Sequence, residues 1–347
     1  MKTRFNFQGT FLFLLLITSV ILLFIFDIFT GPVKIPFSNI IQSLFRGTSG
    51  KAEWDLIITS FRVPKAITAI LAGSALSVSG LQMQTMFRNP LAGPYVLGIS
   101  SGASLGVAVV IMGFTVFLGF SPGEMLQNWI VIIAAWLGGG LVLFLVFIIS
   151  MRINDIMTIL VLGMMIGSIS TALVGAMQYF SSEAMVKSFM VWSMGSLSSV
   201  GISHLYLLIP SVLAGLIIAL LSVKMLNLLL LGENYARTMG LNVKLSRFLI
   251  FLSTSILAGS ITAFCGPIGF IGIAVPHICR LMFKTSDQKI LLFASMLTGS
   301  SLMLLSDLIS QLPGKGVVFP INTVTAFLGI PVVVYIILRN QKISALN

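Results

Sequence analysis

Uncharged stretches long enough to cross a lipid bilayer recur along this chain. Residues 11–26, 66–87 and 156–182 contain no charged side chain. A helix needs about 20 apolar residues to span the hydrocarbon core of a membrane. Only 8% of the 347 residues are charged, against about 25% in an ordinary soluble domain. This pattern excludes a soluble enzyme and a disordered chain, disfavours a β-barrel, and predicts an all-α polytopic membrane protein.

The apolar stretches predict about ten transmembrane helices in one transmembrane domain, 1–347. The longest cytoplasmic connection is expected at about 224–247, and two shorter helices are expected at 37–45, on the membrane surface, and at 183–200. The predicted spans cover residues 9–29, 58–82, 95–114, 128–150, 156–179, 203–223, 248–265, 268–283, 290–311 and 321–338.

The distribution of basic residues predicts the orientation. With both termini in the cytoplasm, thirteen of the 20 lysines and arginines fall on the cytoplasmic side, as the positive-inside rule requires. These residues are scattered through short loops, whereas nucleic-acid binding needs a clustered basic face. The net charge of +11 is therefore interpreted as a result of topology, with the lipid bilayer and not nucleic acid as the partner.

Small residues are spaced for close helix packing. Gly98, Gly102 and Gly106 lie four residues apart, and Gly163 and Gly167 repeat the spacing. Residues four apart share one face of a helix, and small side chains let helices approach closely in lipid. A compact bundle is expected, which by itself fits a transporter or a membrane-embedded enzyme.

The segment 232–243 is a candidate docking element. Ala236, Met239 and Val243 could share one face of a short helix that Gly240 would end. An amphipathic helix outside the bilayer suits binding to a soluble partner. The alternative is a solvated loop that merely joins two spans.

Three of the basic residues predicted on the outer side, against the usual bias, are candidates for a function: Arg62, Lys65 and Lys315. They could form an electropositive mouth for an acidic partner, or extend to lipid phosphates. Asp307 is an acid within a span and a functional candidate for that reason, although it could equally pair with Arg62 or Lys65.

Other features are compatible with more than one role. The turn around Asn89 and Leu91 could be an inner gate or a simple helix break. His277 could be a ligand or a proton relay, or could bond to a nearby backbone group. The 18 methionines lack metal-binding spacing and suit gap filling. No complete phosphate-binding loop, catalytic triad or metal cluster is found, so no catalytic or metal residue is predicted.

Several segments, in order along nearly the whole chain, resemble the permease family of ABC importers for iron-siderophores, haem and cobalamin. The matching segments are Phe61-Arg-Val-Pro-Lys65, Leu71-Ala-Gly-Ser-Ala75, Phe87-Arg-Asn-Pro-Leu-Ala92, Leu97-Gly-Ile-Ser-Ser-Gly-Ala103, Gly232-Glu-Asn-Tyr-Ala-Arg-Thr-Met-Gly240, Gly266-Pro-Ile-Gly-Phe-Ile-Gly272, Pro276-His277 and Gly329-Ile-Pro331.

The resemblance implies a cobalamin-importer-permease-like bundle in the inner membrane of a bacterium. It implies a homodimer, two cytoplasmic ATPase subunits that hold ATP and Mg, and a periplasmic or lipid-anchored substrate-binding protein. This chain would bind no cofactor itself. The cargo would be a metal chelate, with iron-siderophore or haem expected first and cobalamin also compatible.

The resemblance also implies roles for individual residues. The coupling helix that contacts the ATPase would contain Gly232, Glu233, Ala236, Arg237 and Gly240. The binding protein would dock on Arg62, Lys65 and Lys315, and the translocation path and its inner gate would include Asn89, Leu91 and Asn154.

Two positions depart from the family pattern. Gln311 stands where the cobalamin branch has a third docking arginine, and Val318-Phe-Pro-Ile-Asn322 replaces the frequent Glu-Leu-Pro-x-Gly. The alternative function is an ion-driven secondary transporter, which would need buried charges near the middle of the bilayer. A membrane enzyme would need a nucleophile with a base, or a metal cluster, within the spans.

Overall fold

The structure is a computed structural model that describes residues 2–113, 124–153, 155–312 and 318–344, and it contains no β-strand within these ranges. Helices satisfy their own backbone groups, which is a requirement in lipid. In chain order they are α1 Lys2–Phe29, α2 Phe37–Arg46, α3 Ala52–Met86, α4 Ile99–Gly113, α5 Glu124–Ser150, α6 Ile156–Tyr179, α7 Glu183–Ser193, α8 Ile202–Leu221, α9 Val223–Leu229, α10 Glu233–Thr238, α11 Val243–Cys265, α12 Ile271–Phe283, α13 Gln288–Ser310 and α14 Ile321–Ser344.

The predicted all-α membrane fold is confirmed. Among the described residues, seven helices are long and apolar enough to cross a bilayer, and three apolar helices are shorter. The predicted number of ten spans stays a prediction. The predicted third span is shorter than expected: α4 begins at Ile99 rather than at residue 95, because Gly98 has a φ of +79° and residues 87–98 form turns.

Side-chain caps mark where several helices begin on the predicted cytoplasmic side. The carboxylates of Asp155 and Asp287 and the amide oxygen of Asn242 each accept a backbone N–H from the first turn of the following helix. Such caps satisfy amides that lack a partner within the helix. The Thr158 hydroxyl also donates to Asp155, which lowers the pKa of this carboxyl.

The chain divides into two compact units. The first contains Met1–Val78, Ser196–Pro210 and Gly269–Asn347, and the second contains Ser79–Gly195 and Ser211–Ile268. Each unit is assembled from segments that are far apart in the sequence, so neither could be recognised as a contiguous stretch of chain. The interpretation as one transmembrane domain stays a prediction.

In the first unit, helices α3 and α13 touch backbone to backbone. A Cβ added to Gly73 would overlap the carbonyl of Gly299, and one added to Gly299 would overlap Gly73. The Ser77 hydroxyl donates to the carbonyl of Ser295 at 2.7 Å. Small residues therefore replace large apolar side chains at this contact, as expected where the surroundings are as apolar as the helix.

The second unit confirms the glycine face predicted for α4. Gly102 lies against Gly138 of α5, and Gly106 lies against the carbonyl of Ala134. Gly98 approaches the carbonyl of Gly163 at the start of α4. The regular spacing thus brings the backbone of α4 close to two neighbouring helices, with the side chain of Val142 packed against Gly98 and Gly102.

We expect Gly106→Ala to destabilise the protein by about 1–3 kcal/mol, because the added methyl group would overlap the backbone of Ala134. Gly140→Ala is the matched control, since a Cβ there meets nothing within 4 Å. Thermal unfolding in detergent would measure both. Equal midpoints would contradict the close contact between α4 and α5.

Candidate functional site

The predicted coupling segment contains a short helix bounded by glycines. Helix α10 begins after Gly232, whose φ is +103°, and is followed by Gly240 with a φ of +83°. The Leu241 N–H donates to the Ala236 carbonyl at 3.0 Å, which closes the helix end. Both glycines adopt backbone angles that L-residues with side chains rarely tolerate.

One side of α10 is anchored and the other is exposed. Ala236 is fully buried and belongs to an apolar cluster that includes Phe87 and Phe251. Tyr235 is 68% exposed and Met239 is 60% exposed. The prediction that Ala236, Met239 and Val243 share one face of a short helix is wrong, because α10 ends at Thr238 and Val243 belongs to α11.

Glu233 is held by the chain itself. Arg247 of α11 donates from Nη2 to both carboxylate oxygens of Glu233 at 2.8 Å, and from Nη1 to the Ile153 carbonyl at 3.0 Å. Arg237 lies farther away, at 3.9 Å from the same carboxylate, and is half exposed. The acidic residue of the coupling motif therefore fixes the helix in place.

The turn after α3 shares the apolar cluster with α10. Phe87 and Ala92, on either side of this turn, are both buried in that cluster with Ala236. The Asn89 amide oxygen accepts the Leu91 N–H at 2.9 Å, which is a local turn bond, while the Leu91 side chain is exposed. Asn154, the third predicted gate residue, lies outside the described residues.

In the first unit, Arg62 closes the end of α1. It is only 4% exposed. Its guanidinium donates to the carbonyls of Ile28 at 2.9 Å and Phe29 at 3.2 Å, and also to the carbonyl of Val33. These carbonyls follow or end a helix and would otherwise lack a partner.

Lys65 lies between two carboxylates. It is 7% exposed, and its Nζ is 2.5 Å from Asp307 and 3.5 Å from Asp27. The predicted pairing of Asp307 with Lys65 is confirmed. The Gln311 amide donates to Asp307 at 2.7 Å and to Asp27 at 3.2 Å. Gln311, which stands where the resemblance to the cobalamin branch implies a docking arginine, thus belongs to this buried cluster.

Lys315, the third predicted docking cation, lies outside the described residues. In the other departing segment, the Asn322 amide oxygen accepts the Gly269 N–H at 3.0 Å. His277 is buried and has an interaction partner. Within the described ranges, no group of three His, Cys, Asp or Glu residues could hold a metal ion.

Sequence reasoning missed the roles of Asp27 and Arg247. Asp27 stands at the end of an apolar run, and an acid in that position is itself an indication of a buried partner. Arg247 is one of the basic residues predicted on the cytoplasmic side, and nothing in the local sequence distinguishes it from Lys244.

The sequence of this all-helical membrane bundle matches a known protein family over most of its length. The model of the FecCD transport family matches residues 18–339. The chain belongs to the FecCD transport family.

Two relatives and one solved structure extend this result. The chain is 38% identical to the vitamin B12 import system permease protein BtuC of Klebsiella pneumoniae over 291 residues, 84% of this chain and 85% of the relative. It is 33% identical to the hemin transport system permease protein HmuU of Yersinia pestis over 302 residues, 87% of this chain and 88% of the relative.

The solved structure is described as an inward-facing conformation of a candidate metal-chelate type ABC transporter. It is 27% identical, has a TM-score of 0.80, and the match covers 94% of this chain and 98% of that one. The resemblance found in the sequence motifs is confirmed. As a FecCD family member, the chain is a multi-pass membrane permease subunit. Its activity is transport and not enzymatic catalysis.

In this FecCD permease, we expect Lys65→Met to destabilise the fold by about 3–5 kcal/mol, because Asp27 and Asp307 would lose the cation between them. Lys34→Met removes an exposed lysine and should change stability by less than about 0.5 kcal/mol. Thermal unfolding in detergent would measure both. Adding Asp307→Asn to Lys65→Met should restore part of the loss, and indistinguishable midpoints for the two lysine variants would refute a structural role for Lys65.

Proposed function

We propose that this chain is the permease subunit of an ATP-driven ABC importer that moves a metal chelate from a binding protein into the cytoplasm. Membership of the FecCD transport family supports the importer class. The geometry of α10 carries the proposal, because an anchored helix with an exposed apolar and aromatic side is suited to docking on a soluble motor. ATP and Mg would be held by the partner ATPase.

The exposed side of α10 would contact that ATPase. Tyr235 and Met239 present the aromatic and thioether groups that are enriched at protein interfaces. Gly232, Arg237 and Gly240 would set the position and ends of this helix. Because Ala236 shares a core with Phe87, a displacement of α10 would act on the turn that contains Asn89 and Leu91. Alternating access then requires that ATP favours one of two states.

The proposed assembly is a homodimer with two ATPase subunits and one periplasmic or lipid-anchored binding protein, in a bacterial inner membrane. The family resemblance supports this composition, and the excess of basic residues in the predicted cytoplasmic loops supports cytoplasmic termini. Asn154 is proposed to line the translocation path.

The proposed cargo class is a metal chelate. The names of two relatives refer to vitamin B12 and to hemin, and that of the solved neighbour refers to a metal chelate. These share a metal ion enclosed by a large organic ligand. Iron-siderophore, haem and cobalamin are the members of this class that an experiment should compare.

Docking through Arg62, Lys65 and Lys315 stays a proposal. An acidic group of the binding protein would have to compete with Asp27 and Asp307 for Lys65, and with backbone carbonyls for Arg62. Docking would therefore require the Arg62 and Lys65 side chains to leave these partners.

The competing hypothesis of ion-driven transport would assign ion coupling to Asp27, Lys65 and Asp307. Asp27 lies two residues before the end of α1 and Asp307 three residues before the end of α13. An ion site of a secondary transporter belongs near the bilayer midplane. The position of these charges near helix ends favours a structural role.

The decisive experiment is ATP hydrolysis by the chain reconstituted with its cognate ATPase in liposomes. Empty binding protein would be added first, and then protein loaded with ferric siderophore, haem or cobalamin. We expect one loaded form to stimulate hydrolysis and uptake, which would also identify the cargo. Uptake driven by an ion gradient without any ATPase would overturn the importer proposal.

We expect Tyr235→Ala to weaken ATPase binding by about 30-fold, the loss of about 2 kcal/mol typical of an interfacial hot spot. Tyr206→Ala removes a tyrosine of α8 that is 79% exposed and should leave the affinity unchanged. Titration of the labelled ATPase into the detergent-solubilised chain would measure both. Equal affinities would show that the exposed side of α10 does not contact the motor.

A further inference from the structure

One buried arginine joins α10 to the loop that precedes α6. Arg247 is 5% exposed. Its Nη2 reaches both oxygens of Glu233, and Nε adds a third bond at 3.2 Å. Its Nη1 bonds to the Ile153 carbonyl. A single guanidinium therefore bonds to two segments that are distant in the sequence, and it does so from a third element, α11.

The chemistry of this contact makes it a rigid connection. The guanidinium is planar and its donors have fixed directions, so a shift of the Glu233 carboxylate must turn the whole group. The bond to Ile153 would then move with it or break. Charge-assisted bonds of this kind are among the stronger hydrogen bonds in proteins. Burial protects them from competition by water.

The other end of the connection leads into a transmembrane helix. Ile153 is half-buried and packs against the apolar cluster that also contains Ala236 and Ile159. Two residues farther on, Asp155 caps α6 through Met157 and Thr158. A displacement of the Ile153 backbone would therefore reach the first turn of α6 directly.

We propose that Arg247 is a positioning residue that transmits displacement of α10 to the backbone of Ile153 and to the start of α6. The inference rests on the proposed function, since a motor bound to α10 would supply the displacement. In this proposal, the Glu233 side chain binds within the permease and is the group through which α10 is joined to Arg247. Ile153 also packs against the apolar cluster, but only the guanidinium provides directed bonds between the Glu233 carboxylate and the Ile153 backbone.

The test is Arg247→Lys in the reconstituted complex. Lysine keeps the charge but cannot make parallel bonds to Glu233 together with a bond to Ile153. We expect about tenfold less substrate transported per ATP hydrolysed, within the usual range of coupling effects, while the ATPase still binds. Arg152→Lys makes the same chemical change at an exposed arginine of the same loop and should not alter this ratio.

A second variant covers the case in which Arg247→Lys does not fold. Glu233→Gln leaves Ile153 and Arg247 in place but removes the negative charge, and it should also lower transport per ATP. When both variants fold, the double variant should be no worse than Arg247→Lys, because both break the same connection. If the loss of transport per ATP in the double variant were the product of the two single losses, the two residues would have independent roles and the proposal would be overturned.

A distance measurement tests the connection itself. Spin labels would be placed at Asn234→Cys and Met151→Cys, both exposed, while the native Cys265 and Cys279 are buried. With Arg247 present, the distance between the labels should be the same with and without ATP. With Arg247→Lys, the distribution of distances between the labels should broaden, or its mean should change, between the two conditions. A change of about 5 Å, one helical turn, in the unsubstituted background would refute a rigid connection.

The outcomes separate this inference from the proposed function. A complex that couples ATP hydrolysis to uptake equally well with Arg247 and with Arg247→Lys would refute the connection and leave the importer intact. A chain that neither binds an ATPase nor transports with one would refute both.

Discussion

A backbone amide in hydrocarbon has no water to bond to, and this constraint shapes every part of the described structure. The chain meets it with helices, and interrupts them where small or cyclic residues form a defined turn. The break at Gly98 sets the start of α4, and the break at Gly266 ends α11. Because helices gain little from apolar side chains in lipid, glycines at positions such as 73, 102 and 106 provide the close contacts instead.

The same lack of water governs the buried charges. An unpaired ion in this environment is costly, so Lys65 lies between Asp27 and Asp307, and Arg247 is paired with Glu233. The two clusters lie in different units and join elements that are distant in the sequence. Each therefore fixes a helix end where a function is proposed, one at the predicted outer side and one at the coupling helix.

Gln311 and Asn322 stand where the sequence departs from the pattern of the family it resembles, and each makes a polar contact within the first unit. Gln311 donates to both carboxylates that surround Lys65. The side chain of Asn322 accepts the N–H of Gly269. With two carboxylates and one lysine, the buried cluster has more acceptors than cations, and the Gln311 amide supplies it with neutral donors.

The sequence alone determined the class of fold, the approximate positions of the long helices, the glycine face of α4 and the family. The fold class, the helix positions and the glycine face follow from local composition and periodicity, which depend on neighbouring residues, whereas the family follows from the resemblance of its motifs. It also located the short helix α10, although it placed Ala236, Met239 and Val243 on one helical face because the end of the helix at Thr238 is not visible in the pattern. Asp307 was recognised as a residue that needs a partner.

Only the tertiary structure decided which partner each charged residue has. Asp27, Lys65 and Gln311 come from three separate helices or their ends, and Glu233, Arg247 and Ile153 come from three separate segments. Such contacts depend on how helices are arranged in space, and helical periodicity does not encode that arrangement. The physical reason is that a hydrogen bond forms over about 3 Å between specific atoms, whereas a pattern of apolar residues specifies only which side of a helix is covered.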